Sequence, residues 1–149
     1  MSEPDQELFN LAMSDESRPL QYAVKKHIEE NVAPITDEFF ALNEEKEDRW
    51  TWHPRQMELL DGAKAKAKES GLWNFFLPDA ETGEGLNNLD YAYIASELGR
   101  FALASETLNC SAPDTGNMEV LERVGTPEQK EKWLEPLLKG EIRSGYAMT

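Results

Sequence analysis

From Leu20 the apolar positions recur as Leu20, Val24, Ile28, Val32, Ile35 and Phe39, at spacings of four, four, four, three and four. Such spacing sets one stripe along one face of a helix, and a striped helix must bury that face against other elements. The chain is thereby committed to a packed helical architecture. Ser17 stands where an N-cap belongs. Pro34 lies within the stripe and lacks a backbone donor, so a kink or break is expected there rather than a straight rod.

Helical signals continue downstream. A charged connection, Glu44 to Arg49, leads through Trp50 and Trp52 to a helix expected from Pro54 to Ser70, with Met57, Leu60 and Ala67 facing inward and Gly71 at the left-handed cap. The apolar run Leu72 to Leu77 stops at Pro78, and Asp79 to Asn88 reads as a loop carrying Gly83 and Gly85. Asn88 is expected to cap a helix ending at Gly99. Phe101 to Ser111 reads as a further helix of small residues, and Pro113-Asp114-Thr115-Gly116 as a break before Met118, Leu121 and Val124. The clearest local signal is Thr126-Pro127-Glu128-Gln129, a capping box with Pro at the first helical position. Its helix carries Trp133, Leu134 and Leu137, is disturbed by Pro136 and should stop by Gly140.

Beyond Gly140 the pattern changes. Residues Ile142 to Thr149 alternate loosely and contain the β-favouring Tyr146 and Thr149, which predicts a strand. A lone strand cannot pair its backbone groups, so either another molecule supplies the partner or the natural chain continues; the second is the expectation. The sequence thus predicts an all-α bundle of about five to six helices ending in the start of a β-strand. Residues 1–16 are expected to be a loosely ordered acidic terminus, 17–141 the helical domain, and 142–149 the first strand of a truncated middle β domain.

Charge and composition restrict function. Against 15 Lys and Arg stand 29 Asp and Glu, a formal charge of -14. No cations cluster, which argues against nucleic-acid binding. The first cationic side chain is Arg18, the opposite of a basic signal or transit sequence. No window approaches the roughly 20 apolar residues that span a bilayer. The single cysteine, Cys110, excludes an internal disulfide framework and fits a reducing, cytoplasmic setting. His27 and His53 lie on different elements without metal-ligand spacing, so no metal site is expected. Gly83-Glu84-Gly85 lacks the third glycine and preceding strand of a dinucleotide fingerprint. Cys110 has no neighbouring cation and reads as a buried inert thiol. No residue of the chain is assigned a catalytic role.

The run Gly125-Thr126-Pro127-Glu128-Gln129-Lys130, Trp133-Leu134, Pro136-Leu137, Gly140-Glu141-Ile142 and Tyr146-Ala147-Met148-Thr149 resembles the amino-terminal domain of acyl-CoA dehydrogenases. Upstream, Gly71-Leu72-Trp73, Leu77-Pro78, Leu89-Asp90-Tyr91 and Glu97-Leu98-Gly99-Arg100 follow the same order, so the resemblance covers about residues 18 to 149. The stretch Asn109 to Glu119 is most similar to the branch often fused to an aminoglycoside-phosphotransferase-like domain.

The resemblance implies one part of an FAD-dependent oxidoreductase of fatty acid metabolism that desaturates acyl-CoA thioesters, usually homo-oligomeric, with the catalytic base in a later domain. It assigns Tyr146, Met148 and Thr149, with Ala147 between, to the first flavin-contacting segment. The helix bearing Leu103, Leu108 and Cys110 corresponds to a wall of the acyl tunnel or to ordinary packing. The rival expectation, from a different class, is a non-enzymatic helical interaction module.

Overall fold

The computed structural model of the chain describes residues 11–79 and 82–148. They form an all-α bundle. The first rod joins α1 (Arg18–His27), a π-helical turn (Ile28–Val32), α2 (Ala33–Ala41) and a 3₁₀ turn (Leu42–Glu45). Then come α3 (Pro54–Glu69), α4 (Asn88–Leu98), the short α5 (Ala104–Thr107) and α6 (Asp114–Val124). A last rod joins α7 (Pro127–Gln129), a second π turn (Lys130–Leu134) and α8 (Glu135–Lys139). Helix α1 packs along α4, α2 and α5 lie against α3, and α6 packs on the last rod.

The first rod is disturbed without breaking. A step of four residues over-rotates an α-helical stripe by about 40°, so Leu20, Val24 and Ile28 drift around the rod. A π turn winds less per residue, and a four-residue step across it under-rotates. The turn from Ile28 to Val32 therefore returns the stripe to its face, and Val24, Ile28, Val32 and Phe39 are all buried. Pro34 follows two residues later, where a missing backbone donor and a ring need a loosened helix. The same pairing recurs in the last rod, where Pro136 follows the π turn ending at Leu134.

Several ends obey the sequence. Gly71 adopts a left-handed φ of 69°, and Leu72 N–H donates to the Ala67 carbonyl while Gly71 N–H donates to that of Lys68, the paired bonds of a Schellman cap. Thr126 and Gln129 form the reciprocal capping box, and Gly140 closes the last rod at φ 74°.

Other expectations change. Met57 is 39% exposed, because the buried stripe of α3 is Gln56, Leu60, Ala63 and Ala67. Gln56 donates to the Phe39 carbonyl at 2.8 Å and to Asn43 Oδ1 at 3.1 Å, tying α3 to the first rod. The cap of α4 is Asn87, whose Oδ1 accepts the Asp90 amide at 2.8 Å; Asn88 is the first helical residue. The helix expected over 101–111 shrinks to α5, since Asn109 takes a left-handed φ of 58°. The expected break at 113–116 is instead the start of α6.

The acidic terminus falls partly outside the described residues, 1–10 being undescribed. Residues 13–17, in contrast, are docked rather than loose. Met13 is buried, and the Ser14 amide and hydroxyl donate to the Asp90 carboxylate at 2.8 and 2.7 Å. Ser17 occupies the N-cap position but sends its hydroxyl to Asp90 at 2.9 Å instead of to its own helix.

Two left-handed asparagines fasten the middle of the chain to its end. Asn109 Nδ2 donates to Asn74 Oδ1 and to the Leu137 carbonyl, and Asn74 Nδ2 donates to the Leu138 carbonyl. The Trp73 indole donates to that same carbonyl at 2.7 Å.

Candidate functional site

The expected strand over 142–149 does not form among the described residues: 143–148 follow no regular pattern. A strand needs a ladder partner, and none lies beside this segment among the described residues. Its first residues are held by side chains instead. The Asp114 carboxylate, 2% exposed, accepts Arg143 Nε–H at 2.5 Å through Oδ2. Its Oδ1 accepts the Ser144 amide at 2.7 Å and the Ser144 hydroxyl at 2.6 Å. One helical turn on, Asn117 Nδ2 donates to Ser144 Oγ at 2.7 Å.

Arg143 also contacts Glu106 of α5, which pairs with Lys64 of α3 at 2.6 Å. Burial opposes the ionised form of Glu106, but hydrogen bonds from Arg143 and Lys64 outweigh it and hold its carboxyl below the usual range. Burial likewise opposes the charge on Arg143, and its two carboxylates more than offset that. Three helices thus meet at the root of the tail through alternating charges. Among the described residues, no buried side-chain polar atom lacks a hydrogen-bond partner.

The expected flavin-contacting residues follow directly. Tyr146 is 66% and Met148 88% exposed, while Thr149 lies outside the described residues. Tyr146, Ala147 and Met148 make no backbone hydrogen bond among the described residues, so their donors and acceptors are open to a planar polar edge. The tyrosine leans over α6, where a β-carbon at Gly116 would stand 3.2 Å from its hydroxyl. Beside the tail runs a groove of about 480 Å³, mainly apolar, lined by Val120, Leu121, Trp133, Leu137 and Ile142 and, at its tail side, by Asn117, Arg143 and Ser144. An open backbone next to an aromatic ring and an apolar groove fits a flavin, which has a polar pyrimidine edge and apolar faces.

The other candidates separate from this segment. Leu103, Leu108 and Cys110 are buried in the core, and the last two lie beyond α5. His27 is buried with Nε2 at 3.2 Å from Thr107 Oγ1, and His53 caps α3 by accepting the Arg55 amide. Among the described residues no cluster of three or more His, Cys, Asp or Glu is placed to hold a metal, and no helix is long and apolar enough to cross a membrane. Reading by sequence missed Asp114, Asn117, Arg143 and Ser144. Nothing in their residue types marks them; the available signal was only that Asp114 and Asn117 lie within a stretch already singled out at 109–119.

The described residues thus form an all-helical bundle with an open backbone segment beside a mainly apolar groove. The family model for the acyl-CoA dehydrogenase N-terminal domain matches residues 14–141. The chain belongs to the acyl-CoA dehydrogenase family. It is 45% identical over 142 residues to acyl-CoA dehydrogenase family member 10 of Mus musculus, covering 92% of this chain and 13% of that protein. It is 46% identical over 129 residues to family member 11 of Gallus gallus, covering 85% and 16%. A solved structure from Mycobacterium abscessus, assigned to the acyl-CoA dehydrogenases, superposes with a TM-score of 0.77 at 45% identity, covering 89% of this chain and 33% of that one. The chain therefore spans about a sixth or less of each of these two curated relatives.

Proposed function

We propose that this chain is the amino-terminal domain of an FAD-dependent acyl-CoA dehydrogenase and supplies one edge of the flavin and acyl pocket. The observation that carries the reading is the tail: Tyr146 to Met148 offer unpaired backbone groups on a segment fixed at Arg143 and Ser144. The chemistry FAD supplies when bound is acceptance of a hydride from the β-carbon of an acyl-CoA. The open amides and carbonyls of 146–148 would hold the polar edge of the flavin, with the Tyr146 ring beside it, and the resemblance assigns the Thr149 hydroxyl to the same edge.

The family resemblance assigns removal of the thioester α-proton to a carboxylate of a later domain; Glu106 and Asp114, at the root of the tail, are committed to cations and an amide. The formal charge of -14 calls for cations from further domains or a second subunit to meet the phosphates of FAD and CoA. On this reading the working protein is a cytoplasmic homo-oligomer that passes electrons to a separate acceptor.

The test is to add FAD, an acyl-CoA and an artificial electron acceptor to the 149-residue chain. No turnover is expected. Turnover, or stoichiometric yellow flavin retained through gel filtration, would overturn the division of the site between domains. A second reading, a helical interaction module, draws on the exposed indoles of Trp50 and Trp52. It is favoured if FAD leaves the amides of 146–148 unperturbed while a bound protein shields those indoles.

A further inference from the structure

We propose that Asp114 is the positioning residue of the flavin-facing segment: by holding Arg143 and Ser144 it sets where Tyr146 to Met148 present their backbone. This rests on the reading of 146–149 as flavin-lining.

A buried carboxylate is costly to desolvate and persists where donors surround it. Asp114 is 2% exposed, and its three donors all come from two adjacent residues, 29 and 30 positions further along the chain. It does nothing comparable for its own helix, where no side chain caps the N-terminus of α6. Its chemistry is spent on the tail. Asn117 lies one turn on along the same helix face and holds Ser144 Oγ; Glu106, braced by Lys64, holds the far side of the Arg143 guanidinium. Both ends of the two-residue anchor are thus fixed from separate helices.

Past Ser144 the anchoring stops. A β-carbon at Gly145 would meet nothing within 4 Å, and the next three residues make no backbone hydrogen bond among the described residues. The clamp is therefore the last fixed point before those groups, and it sets where the segment starts. The stretch 109–119 gains a role: it carries the acid and amide that aim the tail.

The test compares Asp114→Asn, Ser144→Ala and, as a control, Asp90→Asn, whose carboxylate clamps Ser14 and Ser17 instead. Amide exchange at Ser144, backbone relaxation of 146–148 and FAD-induced amide shifts are followed by NMR on the chain. Loss of a charge-assisted bond should speed Ser144 exchange in Asp114→Asn by about tenfold or more. Disorder at 146–148 and a comparable weakening of the FAD response should accompany it, with the far-UV spectrum unchanged. Ser144→Ala keeps the amide bond and should show the same changes in smaller measure, which preserves the comparison if Asp114→Asn fails to fold. Asp90→Asn should bind FAD as the parent does. A folded Asp114→Asn chain with unaltered exchange, or with a loosened tail and an unaltered FAD response, overturns the positioning role alone. A parent chain whose 146–148 amides ignore millimolar FAD overturns the flavin reading and the positioning role with it.

Discussion

Asn74 and Asn109, both left-handed at φ 62° and 58°, hydrogen-bond each other at 2.7 Å while each reaches a carbonyl of the last helical rod. Left-handed backbone disfavours side chains with a β-carbon, Asn least among them, and here the amide is also the joint. Asn109→Ala removes two buried bonds and leaves strain behind, at a cost of about 2–4 kcal/mol. Asn109→Gly relieves the strain and should recover about 1 kcal/mol of that loss. Urea unfolding of the pair separates the two contributions.

His27 should make stability fall with acid. Thr107 spends its hydroxyl proton on the Ala104 carbonyl, so Nε2–H of His27 donates to Thr107 and Nδ1 is left to accept from Asn31. The neutral ring is satisfied, and burial lowers its pKa below the ordinary 6.5. The unfolded chain then binds the extra proton first. Stability from this residue is complete above pH 6.5 and is lost as pH falls through the lower folded value. Denaturation midpoints between about pH 7.5 and about pH 5 should slope less steeply in His27→Gln than in the parent.

Gln56 holds two rods together from inside the core. Gln56→Met keeps the volume but strands the Phe39 carbonyl and breaks the bond from the His53 amide to Gln56 Oε1. The expected loss is about 2 kcal/mol, seen as a melting temperature lower by about 4–8 °C.

Cys110 should resist thiol reagents in the folded chain. It is buried, and burial pushes its thiol well above the ordinary range, so almost no thiolate is presented. Labelling is expected only at the rate of unfolding and to reach completion in denaturant. Rapid modification of the native chain would contradict this packing.

What could be read from the sequence was what is local. Periodicity gave the first rod and α3, and the caps at Gly71, Thr126 and Gly140 were read from single residues whose conformational needs are narrow. What escaped was the set of buried polar side chains. Gln56, Asp90, Asn109 and Asp114 have partners 17 to 76 residues away, and no spacing announces a bond across that distance. The same blindness explains Met57: an apolar pattern alone selects it, whereas the buried position beside it belongs to a glutamine. The tail was misread for a different reason. Its composition favours a strand, but a ladder is a property of two segments, and the Ser144 amide here is taken by a carboxylate.

The π turn at Ile28–Val32 holds one residue more than an α turn would need. Removing one residue inside it would tighten the winding and leave the faces before and after in phase. The same deletion at Lys25 would swing everything upstream by about 100° relative to the core. The turn is thus the point of slack in the rod, where its length can change by a residue without its sides being reassigned.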